Sequence, residues 1–315
     1  MQTLVDYISF TDTSDNLDFW CEFFRFPLSE FQAGHARYGW SEHRYFNGIH
    51  IHCGGREDCF FEFSGVGCRT LESLFHNEFD WLAFLIYIAD KGPFSTLHVS
   101  RLDIATDDTD GILSFPKLYR YTRQHKYISR SRRVYWSDGC EQQIVFGAPQ
   151  SNTRLRIYNK ALERGVPDEH WIRAEFQFRN DAAYSFLQNL KLTQHIGKCY
   201  SGVLLNYLRY SVVAPDRNNN NNRIDTVGWW SDFLGECSRL KNIYVGGLEY
   251  NRQSLNDYIR KQCSSSLKLW LELNGGDLTE LARIAYDANL NPKQRDLLRR
   301  EKLKEGSMKN VHISK

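Results

Sequence analysis

A chain of 315 residues, 42% hydrophobic and 14% aromatic, holds enough apolar material for one large core or two smaller ones. Its formal net charge of +2 and pI near 8.1 exclude attachment to nucleic acid through an overall positive field, so any such contact must come from local basic clusters. No window approaches the roughly 18 apolar residues of a membrane span, and the acids in the first turns do not suit a signal peptide. A soluble, cytoplasmic chain without membrane contact is expected.

In chain order, residues 4–10 read as a short strand and 17–26 as a helix packed on it. From 44 to 63, apolar and polar residues alternate around Gly54-Gly55, which predicts a hairpin that Gly65-Val66-Gly67 closes. A second helix is expected over 70–87. Strands follow at 100–107, 142–146, 154–159 and 171–178, then a helix at 181–190. The expected class is α+β, an antiparallel sheet covered by helices. The asparagine run at 218–222 marks a linker between a catalytic domain, 1–214, and a helical region, 223–315, suited to DNA binding or regulation. Within that region 229–240, 253–273 and 278–288 have helical periodicity, and 293–304 is mostly charged.

Eight cysteines (Cys21, Cys53, Cys59, Cys68, Cys140, Cys199, Cys237 and Cys263) are scattered in a chain without a secretion signal, which favours reduced thiols. Cys53, Cys59 and Cys68 lie near His50 and His52, but no spacing is the two-residue knuckle of a structural zinc site.

The chemistry concentrates in three strands. In Ser100-Arg-Leu-Asp-Ile-Ala-Thr-Asp107, alternation puts Asp103 and Asp107 on one face and Leu102 and Ile104 on the other. Two carboxylates on one surface suit a hard divalent cation, and a strand end with solvated acids would look the same. In Thr153-Arg-Leu-Arg-Ile-Tyr-Asn-Lys160, Tyr158 shares a face with Arg154, Arg156 and Lys160. Such cations would lower the phenol pKa and hold a phosphate for it to attack, although an edge strand carrying an amphipathic tyrosine has the same pattern. In His170-Trp-Ile-Arg-Ala-Glu-Phe-Gln-Phe178, Glu175 is a third strand-borne acid, beside Arg173 and Gln177. It joins the metal site if its strand neighbours that of Asp103, and an ion-pair ladder with Arg173 if not.

These residues resemble, in order, the replication initiation factor family, the rolling-circle initiators of plasmids, integrative elements and filamentous phages. The family's Arg-Leu-Asp-hydrophobic-Ala-x-Asp run is similar to 101–107. Its Phe-Gly, Ser-Asn and Arg-Ile-Tyr-Asn-Lys stretch looks like Phe146-Gly147, Ser151-Asn152 and 156–164, and its Trp-x-Arg-x-Glu strand resembles 171–175 with one residue of wobble. Residues 63–69 are similar to a glycine-rich turn of the phage members, and Trp229-Trp230 is a weaker echo. The resemblance spans 4–190. It implies Tyr158 as the nucleophile that joins DNA as a 5′-phosphotyrosine and frees a 3′-hydroxyl primer. It also implies Mg²⁺ or Mn²⁺ held by Asp103 and Glu175, with Asp107 as a third ligand, and Arg156 and Lys160 as phosphate-facing supports. The partners implied are an origin nick site, a host helicase and polymerase, and a second copy of the chain.

His50-Ile51-His52 competes as metal ligand, because a His-hydrophobic-His strand is the metal signature of another class of tyrosine nickases. DNA contacts are expected from Arg154 and Arg173, and from the stretch 120–133, whose cations, including Arg130, Arg132 and Arg133, interleave with aromatic residues. A solvated basic loop has the same composition. Arg299, Arg300, Lys302 and Lys304 could add duplex contacts. A conjugative relaxase with the same chemistry and a non-catalytic origin-binding regulator are the alternatives.

Overall fold

The computed structural model describes residues 2–14, 17–37, 39–91, 96–215, 223–235, 255–256, 259–290, 294–295 and 297–299, without the side chains of 261 and 262. The asparagine run at 218–222, Cys237, Lys293, Arg300, Lys302 and Lys304 lie outside the described residues. The first half comprises β1 (Gln2–Asp12), α1 (Leu17–Phe23), β2 (Gln32–Ala33), β3 (Glu42–Phe46), β4 (Ile49–Cys53), β5 (Cys59–Phe63), α2 (Gly65–Leu74) and α3 (Trp81–Lys91). Next come β6 (Leu97–Asp108), α4 (Phe115–Arg123), β7 (Tyr127–Ser129), β8 (Val134–Ser137), β9 (Gln143–Phe146), β10 (Thr153–Asn159), α5 (Lys160–Arg164) and β11 (Ile172–Arg179). They are followed by α6 (Asp181–Thr193), α7 (Ile196–Tyr207), β12 (Leu208–Tyr210), α8 (Gly228–Leu234), α9 (Ser264–Leu273) and α10 (Leu278–Asp287).

Ten strands form one antiparallel sheet in the order β2-β3-β4-β5-β1-β6-β11-β10-β9-β8, and β12 pairs with β7 in a second, two-stranded sheet. The class is α+β, as the sequence leads one to expect. Alternation divides the large sheet into two faces. Val5, Ile8, Phe10, Phe61, Phe63, Leu102, Ile104, Leu155, Ile157, Phe176 and Phe178 are fully buried on one face, against the helices. Tyr200 of α7 fastens that layer by donating to the Ala174 carbonyl at 2.6 Å. The other face carries the charged residues of β6, β10 and β11.

Three local expectations are corrected. The helix expected over 70–87 is two helices, α2 and α3, because His76 and Asn77 adopt positive φ (54° and 66°) and turn the chain between them. Gly65-Val66-Gly67 does not close a hairpin but forms the first turn of α2, where the Ser64 hydroxyl caps the Gly67 amide. The hairpin around Gly54-Gly55 is present as β4 and β5, and a second turn at Asn47-Gly48, both at positive φ, adds β3.

The chain divides into two compact units, Met1–Tyr244 and Val245–Lys315. Helix α8, which composition groups with the C-terminal region, belongs to the first, where Trp230 packs on Tyr210 at 5.1 Å and donates to the Leu208 carbonyl at 3.2 Å. Among the described residues no helix is long and apolar enough to cross a membrane.

The seating of α2 yields a stability test. A Cβ on Gly67 would stand 2.2 Å from the Gly48 carbonyl oxygen, a backbone atom that cannot yield, whereas one on Gly139 meets nothing within 4 Å. Gly67→Ala should therefore cost about 1–3 kcal/mol in urea unfolding of the full chain, and Gly139→Ala less than about 0.5 kcal/mol.

Candidate active site

Strand order supplies what spacing alone could not. β6, β11 and β10 are consecutive, so Asp107, Arg173 and Tyr158 stand in one row across the polar face, and Glu175 and Arg156 in the next. Asp103, Gln177 and Arg154 form the third row. The adjacency between the Asp103 and Glu175 strands is thus present.

Tyr158 is only 2% exposed, and its hydroxyl donates to Glu175 Oε2 at 3.1 Å. The Arg156 guanidinium lies over its ring, 3.9 Å from the centroid, and is held there by Gln143 Oε1 at 2.9 Å. Lys160, the first residue of α5 and not the last of the strand, brings Nζ to 3.4 Å from the phenol oxygen while pairing with Glu163. The expectation that neighbouring cations lower the phenol pKa is corrected. Burial raises it, and the charge of Glu175 raises it further, against a smaller opposing effect of Arg173.

The acids are arranged unequally. Asp103 is gripped by Arg101 through Nε (3.0 Å) and Nη2 (2.5 Å), and Arg101 also lies 4.1 Å over the Tyr7 ring. Burial still pushes Asp103 up to about 7, with Glu175 and Asp6 adding to the effect and Arg101 opposing it. Glu175 is raised by burial and then by Asp6. Asp107 takes both Nε (2.6 Å) and Nη2 (2.8 Å) of Arg173, whose Nη1 bonds Asp6 at 2.9 Å.

Oxygen donors on Asp103 and Glu175 are the right chemistry for Mg²⁺ or Mn²⁺. Asp103 and Asp107 are held alike, each with both oxygens engaged by one arginine, Arg101 for Asp103 and Arg173 for Asp107. Among the described residues no three His, Cys, Asp or Glu side chains converge as a ligand group. His50 and His52 share the polar face, but five inter-strand steps, about 24 Å at the usual strand spacing, separate β4 from β10. They are not brought to Tyr158. Burial, then His43 and His50, pushes His52 down to about 4.

Of the expected DNA contacts, Arg130, Arg132 and Arg133 are exposed around the link from β7 to β8, the edge strand two places from β10. Arg154 keeps Nε buried without a hydrogen-bond partner among the described residues. Arg173 is 5% exposed and committed to two carboxylates, so its guanidinium supports the site from within and is not a free DNA contact.

Asp6, Gln143 and Glu163 gave no sign of their roles. Asp6 enters through a register shift between Val5 and Tyr7, a bulge that alternation does not announce. Glu163 lay inside the matched stretch as a helix residue without assigned chemistry.

The family model described as replication initiation factor matches residues 97–284, more than half of the chain. NicK of Bacillus subtilis (strain 168), named as a candidate DNA relaxase, is 28% identical over 254 residues, covering 75% of this chain and 70% of NicK. A rolling circle replication initiator protein from Geobacillus stearothermophilus has a similar fold, with a TM-score of 0.64 and 22% identity over 77% of this chain and 99% of that one. The chain belongs to the replication initiation factor family.

Proposed function

We propose that this protein initiates rolling-circle replication by nicking one strand at an origin with Tyr158. The observation that carries this reading is the Tyr158 hydroxyl bonded to Glu175, between Arg156 and Lys160, on an inner strand of a fold similar to that of a rolling circle replication initiator protein. In the reaction the phenol oxygen attacks the scissile phosphorus, and its proton passes to the carboxylate that already accepts its hydrogen bond. The bond from phosphorus to the 3′ oxygen breaks, that oxygen leaves as a hydroxyl by taking a proton from water, Glu175 returns the proton it received to solvent, and the 5′ phosphate remains on tyrosine. The adduct conserves the phosphodiester linkage, so no energy cofactor is needed.

A divalent cation, Mg²⁺ or Mn²⁺, held by Asp103 and Glu175 would polarise the scissile phosphate. Arg156 is the first side chain a phosphate meets above the ring, and a charge-assisted bond to phosphate is stronger than its present one to the Gln143 amide. Arg154 and the exposed Arg130, Arg132 and Arg133 would follow the DNA backbone away from the tyrosine. Host helicase and polymerase would then extend the freed end. The similarity to NicK favours a second reading, a relaxase using the same nucleophile to start strand transfer.

Tyr158→Phe removes one hydroxyl that donates one hydrogen bond. The chain should fold and bind single-stranded DNA as before, yet form no covalent adduct in a denaturing gel with labelled oligonucleotide. An adduct at the unaltered yield would move the nucleophile elsewhere.

Asp103→Asn and Glu175→Gln should each abolish nicking of supercoiled origin DNA in Mg²⁺ or Mn²⁺, with DNA affinity kept within a few-fold, whereas His50→Ala with His52→Ala should still nick. The reverse pattern would return the metal to the histidines.

Neutralising Arg130, Arg132 and Arg133 together should weaken DNA binding and flatten its dependence on salt, by about one unit of logarithmic slope for each phosphate that is no longer neutralised. An unchanged salt titration would place the loop away from DNA.

A further inference from the structure

Strands β4 and β5 have an apolar face wholly buried in the core, with Ile49, Ile51, Phe61 and Phe63 at zero exposure. Their other face ought to be polar and solvated. Instead it carries a continuous file of rings. Tyr45 faces His50 (6.1 Å, 22°), His50 faces His43 (5.3 Å, 14°), and His43 stacks on His52 at 4.3 Å with planes 3° apart. Phe60 adjoins His52 at 5.8 Å and stacks on Trp40 at 5.6 Å, and the Arg56 guanidinium caps Trp40 at 4.7 Å. The rows Tyr45–His50 and His43–His52–Phe60 are set by strand register, and the close fit of Gly34, where a Cβ would stand 2.3 Å from His43 Nδ1, holds the file at its outer edge. Beside it opens a cavity of about 490 Å³ lined by His35, Arg37, His43, Tyr45 and His50, within the usual size of a ligand pocket.

We propose that this file is a base-stacking platform for single-stranded DNA flanking the nick. The proposal rests on the nicking function above. Register carries the same sheet face from His50 through Glu62, Ser9 and Arg101 to the row of Asp103, and so to the face of Tyr158. A strand engaged at Tyr158 therefore meets the rings by crossing about 24 Å of sheet laterally and about 20 Å along the strands, since the two rows meet β6 at Asp107 and at Arg101. The rings lean on one another and His52 is buried at 4% exposure, so the part open to a base is the exposed Tyr45 with the half-buried His43, His50, Phe60 and Trp40, and Arg37 and Arg56 stand at the margins where phosphates would pass. The acids Glu42, Asp58 and Glu62 stand nearby; Glu42 and Asp58 are paired with Arg44 and Arg56, so recognition rests on stacking more than on charge.

The test is fluorescence anisotropy of the full chain with single-stranded oligo(dT) and with an abasic oligomer of equal length. Tyr45→Ala combined with His50→Ala should weaken oligo(dT) binding about tenfold and leave the abasic oligomer unchanged. Unchanged oligo(dT) affinity, or an equal loss on both probes, overturns the proposal and points to a protein ligand or to a general fold defect. A second measurement needs no variant: ultraviolet cross-linking of 5-iodouracil DNA to the unaltered chain should label the peptide carrying Tyr45 and His50, and labelling confined to other peptides overturns it. Neither readout requires cleavage, so a missing Tyr158 adduct would count against the nicking function and not against the platform.

Discussion

Two arginines hold the centre of the polar face together. Asp6, Asp103, Asp107 and Glu175 crowd three adjacent strands, and burying that much negative charge in one patch is unfavourable unless cations are interleaved. Arg101 takes Asp103, and Arg173 bridges Asp107 and Asp6. With those acids engaged, Glu175 is the carboxylate left to meet the phenol, and Tyr158 supplies its hydrogen bond. The partner of the tyrosine is thus selected by where the guanidiniums lie.

The same arrangement bears on the proposed role of Tyr158 as nucleophile. Its cations do not act chiefly on the oxygen: Arg156 covers the ring, and Lys160 divides its ammonium between the phenol and Glu163. Burial and then the charge of Glu175 raise the phenol pKa, which favours the protonated hydroxyl. Under the proposed reaction the proton leaves only as the bond to phosphorus forms. A phosphate drawing Arg156 off the ring would expose the oxygen and add positive charge beside it in one movement.

Much of this was legible in the sequence because strand alternation is strict. It put Leu155 and Ile157 in the core and Arg154, Arg156 and Tyr158 on the opposite face, as found. It also separated Asp103 and Asp107 from Leu102 and Ile104. What alternation cannot convey is distance across strands. The grip of Arg173 on Asp107, a separation of 66 residues, and of Arg173 on Asp6, a separation of 167, depends on strand order and on a bulge. The break between α2 and α3 was hidden for a related reason. His76 and Asn77 follow one apolar run and precede another, and without glycine or proline nothing in the pattern marks positive φ there.

The histidines show the consequence most sharply. His50-Ile51-His52 satisfies a metal-binding pattern locally, with both imidazoles on the correct face of a strand. A metal held there could not reach a phosphate at Tyr158, because β5, β1, β6 and β11 lie between. A short motif specifies the face a side chain occupies, but only the order of strands specifies its neighbours. On β4 the same imidazoles join His43 and Tyr45 in a file of rings where β6 and β11 carry carboxylates. Under the two proposals one alternating face would serve two purposes along the same DNA strand, chemistry where the acids cluster and stacking where the rings do.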